Sequence, residues 1–282
     1  MTTKRTEPAG AEIRVTTGRN SPLRRRIDRV LPAMVVAVVL VATWQLYVMV
    51  SGIRPQVLPS PTRVLQQGWA HRIAIAEHAA ATLQVTLVGF VVSLTVAWLL
   101  AVAVDFSPFL RRAFVPLFVA SQTLPIIAIA PLMIIWFGFG LLPKILVIAL
   151  ATFFPMAIGL IEGFAATDRE AGALLRSMGA TRWQEFRYVR LPSALPRFFT
   201  SLRIGITYAV VGAVFAEYVG ATSGLGIYMA IQKNSFRTDL VLAAVLVTAT
   251  VSLVLYLLTY VAQRLIAPWA LGTENRATGS HA

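Results

Sequence analysis

The sequence predicts an all-α integral membrane protein with six transmembrane helices, and three observations predict it. Of 282 residues, 57% are hydrophobic and only 13% charged, where a soluble domain carries about 25% charged residues; mean hydropathy is +0.72. Uncharged stretches of the ~20 residues needed to cross a bilayer recur along the chain. Basic residues fall unevenly between alternate loops, as they do in membrane proteins of defined orientation.

Residues 1–29 are polar and basic, closing on Arg24, Arg25, Arg26 and Arg29. They predict a disordered tail ahead of an uncleaved first span at about 31–50, because the apolar run is long and lacks a small-residue cleavage site. Further spans are predicted at about 79–104, 113–138, 145–161 (extending past Glu162), 198–222 and 240–263. The proline-rich loop 54–64 is extended, and 65–79 is a candidate amphipathic surface segment. The polar end, 269–282, is a second disordered tail.

The third run, "FVPLFVASQTLPIIAIAPLMIIWFGFGLLP", holds Pro116, Pro125, Pro131 and Pro143. Proline removes a backbone donor and breaks helices. In lipid such breaks persist where protein or a water-filled cavity satisfies the freed carbonyls. The run is therefore expected inside a bundle beside a pathway, a kinked packing helix being the plainer reading.

With the N-terminus inside, inner segments hold eighteen basic residues and outer segments six, Arg203 standing at a helix end. Both termini, and the stretch 166–197 with six arginines from Arg169 to Arg197, are then cytoplasmic. The net charge of +13 follows from this bias and does not point to nucleic acid. The absence of cysteine excludes disulfides and thiolate chemistry. His71, His78 and His281 are scattered without metal-ligand spacing, so no metal site is expected.

The cytoplasmic insert predicts helix, sharp turn, helix, over about 168–178 and 182–190. Thr167–Glu170 and Thr181–Gln184 both fit capping boxes. Gly179 suits the C′ position of the first helix, and Pro192 is expected to stop the second. Leu174, Leu175 and Met178 cluster on the first helix, and Trp183 and Phe186 share a face on the second. Neither helix is long enough to persist alone in water. Each must pack on the bundle or fill a groove on a soluble partner.

Gly179, nine residues, then Val189-Arg190-Leu191-Pro192 resembles the "EAA loop" of permease subunits of bacterial ABC importers: E-A-A, three residues, Gly, nine residues, I-x-L-P. The similarity extends to "SALPRFFTSLRIG" (193–205), "APLMIIWFGFG" (130–140) and "GAVFAEYVGATSGLG" (212–226). These resemble the nitrate/sulfonate/taurine branch, which includes permeases for thiamine-precursor pyrimidines and riboflavin, over residues 30–268. One departure stands out: the E-A-A positions are Ala173-Leu174-Leu175, and the family's glutamate is missing, Glu170 lying one turn earlier as a helix cap.

The resemblance implies a type I importer permease fold, N-in and C-in, in the bacterial inner membrane, with 166–197 as the coupling loop. It implies a non-catalytic subunit passing a small solute, nitrate-, sulfonate- or taurine-like or a heterocyclic vitamin precursor. Expected partners are a second permease copy, two cytoplasmic ATPases and an extracytoplasmic binding protein. The chain contains no G-x-x-x-x-G-K-[ST] phosphate loop, so ATP and magnesium are expected on the ATPases, with no cofactor here. Ala173, Leu174, Leu175, Arg176, Met178, Gly179, Ala180 and Arg182 are the candidate ATPase contacts.

Polar groups at membrane depth are the pathway candidates: Ser121, Gln122, Thr123 and Pro125 at the break, with Tyr208 and Glu217. Glu217 lies about 21 Å along a helix from Arg203, in the outer half of the membrane if Arg203 snorkels inward. Gating, contact with the binding protein and a structural hydrogen bond or ion pair are all open to it. Ser223, Gly224, Leu225 and Gly226 form a candidate external gate; beyond it Lys233 and Arg237 are open to contact with acidic groups on a binding protein and to an ordinary solvated loop alike. Gly159-x-x-x-Gly163 is a candidate for close helix packing. A secondary transporter or channel leaves the basic insert unexplained, and a membrane enzyme needs paired His, Asp or Ser at one depth, which the chain does not show.

Overall fold

A computed structural model describes residues 22–123 and 125–270. Its helices are α1 (Pro22–Ser51), α2 (Pro61–Ala70), α3 (Arg72–Phe106), α4 (Pro108–Ser121), α5 (Ile126–Phe137), α6 (Leu141–Ala165), α7 (Arg169–Ser177), α8 (Arg182–Glu185), α9 (Leu191–Gly220), α10 (Leu225–Asn234) and α11 (Thr238–Ile266). The described residues form two units, 22–52 and 53–270. The first contributes α1, which starts inside the stretch expected to be a tail, with Pro22 in the first turn where its missing N–H costs nothing. Residues 1–21 and 271–282 of the predicted tails lie outside the described residues.

Among the described residues, five helical runs are long and apolar enough to span a bilayer: Leu31–Ser51, Arg72–Phe106, Leu141–Ala165, Arg182–Gly220 and Thr238–Ile266. The third predicted span is instead two short helices, α4 and α5. Pro125 cannot donate to the turn before it, and the chain opens between Ser121 and Ile126. Local hydroxyls occupy carbonyls at the break: Ser121 donates to Phe118 at 2.8 Å and Thr123 to Ala120 at 2.7 Å. This run was expected inside the bundle. Within one chain it is largely exposed, with only Phe118, Ala130 and Pro143 buried among its described side chains.

The second unit is organised around α6, α9 and α3. Its seams are lined by small residues, as helix association in lipid requires where packing replaces the hydrophobic drive. A Cβ on Gly159 would stand 1.7 Å from Ser201 Oγ, and one on Gly163 3.0 Å from Ala194 Cβ, so the Gly-x-x-x-Gly pair seats α6 on α9. Aromatic rings fill the rest: Phe118, Phe153 and Phe154 form one group, and Trp98, Phe164 and Phe198 another. A second cluster joins α2, α3, α10 and α11 through Val64, Ile75, Leu225, Tyr228, Leu240 and Ala244.

Two side chains depart from expectation. Arg203 runs back one turn along its helix, Nε donating to the Phe199 carbonyl at 3.3 Å, but it is also held by Gln263 on α11 at 2.7 Å and lies over Tyr260. Pro192 does not end the second loop helix. Five residues, Phe186–Arg190, widen into a π-turn that leads directly into α9. The Leu191 amide reaches back to Phe186, and this wider turn accommodates the proline ring without a chain break.

Candidate functional site

The loop 166–197 is built as a capped knob. Its first cap is Asp168, not the predicted Thr167: the Asp168 carboxylate accepts from the Glu170 amide at 2.9 Å. Asp168 adjoins the helix and its carboxylate reaches the first-turn amide, whereas Thr167 stands one residue further out. At the other end the Gly179 and Ala180 amides donate to the Arg176 and Leu175 carbonyls, at 3.0 and 3.1 Å, and Gly179 sits at φ +83°. This is the Schellman closure, which places glycine at C′. A Cβ on Gly179 would meet nothing within 4 Å, so the backbone conformation, not crowding, selects glycine here. The second capping box forms as predicted, Thr181 and Gln184 exchanging bonds.

The knob has an inward and an outward side. Phe186 is buried, packed at 5.4 Å against both Phe106 at the end of α3 and Phe164 near the end of α6. Trp183 stacks on Phe186 and Phe106. Outward, Leu174 is 63% and Met178 74% exposed. Ala173, Arg176, Gly179 and Arg182 are exposed too, and Leu175 and Ala180 half-buried.

An ion network that the sequence reading missed holds the knob to the bundle. Arg176 Nη1 contacts both oxygens of Glu185, at 3.1 and 3.0 Å. Arg190 donates to Glu185 through Nε at 3.3 Å and to both oxygens of Asp105, at the end of α3, at 2.8 and 2.9 Å. Glu185 is only 5% exposed, and a Cβ on Gly172 would press to 2.9 Å from its Oε1. The available clue was Asp105, the acid closing an otherwise uncharged span. The π-turn carries Arg190 on a wider arc than an α-helix would.

The pathway candidates separate into two places. Ser121, Gln122 and Tyr208 meet around a cavity of about 340 Å³, completed by Ile129, Leu150, Ala151, Phe154, Pro155 and Ile204. Its lining offers two hydroxyls, one amide and an aromatic face, and no charge. Thr123 and Pro125 are exposed at the break beside it but do not line it.

Glu217 stands elsewhere, fully buried beneath the start of α10. It accepts from Thr82 at 2.9 Å and from the Gly226 amide at 2.9 Å. The Leu225 amide donates to Thr82 at 2.8 Å and the Gly224 amide to His78 Nδ1 at 3.1 Å. Three amides opening α10 are thus received by side chains of α3 and α9, a cap assembled from distant sequence. The glycines permit it. A Cβ on Gly224 would fall 2.1 Å from the Glu217 carboxyl carbon, and one on Gly226 2.3 Å from the Val214 carbonyl. Ser223 precedes this cap on the exposed turn. His78 and Thr82 were detectable only as isolated polar residues one turn apart at the head of an apolar run.

Arg237 and Lys233 both find partners within the chain, Lys233 remaining exposed. Arg237 and Arg63 both bind Asp239, at 3.2 and 3.1 Å, and Arg237 also reaches Gln67. Lys233 contacts the Tyr218 hydroxyl at 3.2 Å. Among the described residues no group of three His, Cys, Asp or Glu side chains is placed to hold a metal ion.

Residues 89–271 match the family model of the binding-protein-dependent transport system inner membrane component. The chain is 37% identical to the riboflavin transport system permease protein RibX of Chloroflexus aurantiacus, covering 89% of this chain and 96% of that protein. It is 32% identical to the formylaminopyrimidine transport permease protein ThiX of Halalkalibacterium halodurans, covering 82% and 92%. Its fold matches a chain in the crystal structure of an amino acid ABC transporter, with a TM-score of 0.55 at 16% identity over 71% of this chain and 95% of that one.

Proposed function

The chain belongs to the family of binding-protein-dependent transport system inner membrane components, and from that premise we propose how it works. It is the permease of an ATP-driven importer. Two copies pair in the bacterial inner membrane with both termini cytoplasmic, each chain contributing six spans when α4 and α5 count as one. An extracytoplasmic binding protein delivers the solute, and two ATPases holding ATP and magnesium grip the loops 166–197.

The observation that carries this reading is the knob itself. A short helix stopped by caps at both ends holds Leu174 and Met178 out in solvent while an ion network and Phe186 fasten its base. Exposing apolar side chains on so rigid a support is unfavourable unless a partner covers them. A stiff lever also transmits displacement that a loose loop would absorb. The broken α4–α5 run fits a pathway wall between two copies, since it turns Gln122, Thr123 and an opened backbone outward.

For the solute, the favoured class is a flat heterocycle of the riboflavin or pyrimidine type. The uncharged cavity at Tyr208, Phe154 and Gln122 suits an aromatic ring with hydrogen-bonding edges better than a sulfonate or nitrate anion.

The test is reconstitution in liposomes with the cognate ATPase and binding protein. ATP-dependent accumulation of riboflavin or an aminopyrimidine is expected, without taurine uptake. Flux driven by an ion gradient in the absence of nucleotide would overturn the assignment. Gly179→Leu should strain the φ +83° turn of the loop while the bundle stays folded, and so separate ATP hydrolysis from uptake.

A further inference from the structure

We infer that the partner seated on the loop inserts an acidic side chain between Arg176 and Arg182, so that the permease supplies the cations of the contact and the ATPase the anion. The inference rests on the docking reading above and specifies its chemistry.

A polar cavity of about 270 Å³ opens at the base of the knob, lined by Asp105, Phe106, Pro108, Arg176, Arg182, Glu185, Phe186 and Arg190. The acids that line the cavity, Asp105 and Glu185, are already engaged. Glu185 lies between Arg176 and Arg190, Asp105 is held by both of its oxygens on Arg190, and Asp168 caps α7. Ala173, at the glutamate position of the E-A-A pattern that the loop resembles, supplies no carboxylate.

The cations are not exhausted. Arg176 engages Glu185 through Nη1 alone, and its side chain is 55% exposed. Arg182 is exposed and has no ion-pair or hydrogen-bond partner through its side chain among the described residues. The mouth of the cavity is therefore cationic while its floor is neutralised. An arriving carboxylate meets two guanidiniums whose planar forks suit it. Leu174 and Met178 supply the apolar contact beside it. Charge complementarity of this kind sets partner choice and encounter rate more than affinity.

A protein partner fits these features better than a lipid surface. The knob's helix is nine residues long, and its exposed apolar side chains are few and separate, Leu174 and Met178 with Trp183 on α8. Binding to a lipid surface scales with the apolar area buried, and a nine-residue helix offers little of it.

The experiment measures association of the detergent-solubilised permease with its purified ATPase by surface plasmon resonance. Arg182→Glu should weaken binding at least about 10-fold, mainly through the on-rate, and flatten its salt dependence. Arg187→Glu, exposed but outside the cavity, should change binding by less than about threefold. Reversing one acidic residue on the ATPase face to lysine should restore the Arg182→Glu pair. Equal losses from both arginine reversals would overturn the inference in favour of diffuse attraction. So would retained ATPase binding by Arg182→Glu together with loss of binding to phosphatidylglycerol vesicles. A Leu174→Asp, Met178→Asp variant separates the two levels. If it abolishes the complex while Arg182→Glu does not, docking stands and the carboxylate contact falls; if neither matters, both fall.

Discussion

Glu185 and Glu217 are both buried carboxylates on one continuous helical run, about 48 Å apart at 1.5 Å per residue, and their surroundings are opposites. Glu185, at the loop end, lies between two arginines, one of them tied onward to Asp105. Glu217, at the other end, accepts one hydroxyl and one backbone amide, and neither partner is charged. The first fastens elements through long side chains that tolerate adjustment. The second fastens them through backbone, at contact distances that leave no room for a methyl group. A charged clamp that partly reaches solvent can yield and re-form, whereas a backbone cap enclosed by glycines is all or nothing.

That contrast is sharpest for the glycines. Gly226→Ala drives a Cβ to 2.3 Å from the Val214 carbonyl, an atom that cannot rotate away. It should cost about 3 kcal/mol or more and show as a fall in melting temperature with poor recovery of monodisperse protein. An unchanged melting temperature would mean that the cap at Glu217 is as adjustable as the clamp at Glu185.

An isosteric exchange probes the clamp next. Glu185→Gln leaves Arg176 and Arg190 facing an amide that is neutral and half donor. Both arginines retain some access to water, so the expected cost is about 2 kcal/mol, below that of a fully enclosed pair. It should be local: hydrogen exchange across α7 and α8 accelerates while the bundle stays protected. Loss should also grow smaller at high salt, since Arg176 is largely exposed.

The same exchange at Glu217 should have the smallest effect. In Glu217→Gln the amide oxygen still accepts from Gly226, and no arginine loses a counterion. A cost of about 1 kcal/mol or less is expected, with no salt dependence. A larger loss than at Glu185 would overturn the comparison and assign Glu217 a charge-dependent task.

Much of the loop was legible because its signals are local. The Thr181–Gln184 box, the Gly179 turn and the Leu174–Met178 stripe follow from spacing within a few residues. Thr167 lost to Asp168 because adjacent residues compete for the same amides. Pro192 misled because a π-turn is not written in any single residue. The pathway candidates were chosen by polarity alone, and polarity cannot say which neighbour a side chain will find. Ser121, Gln122 and Tyr208 meet at a cavity; Glu217 joins Gly224 and Gly226 in a cap instead.

By itself the sequence determined the all-α membrane class, the long apolar runs, the proline break and the capped loop, since hydropathy, proline geometry and capping act over a turn or a span. Only tertiary structure decided what the buried charges and small residues are for. Arg190 meets Asp105 eighty-five positions away, and Thr82 receives Leu225 across one hundred and forty-three. Such contacts depend on how helices lie against one another, which is settled by packing and by the need to satisfy each polar group removed from water.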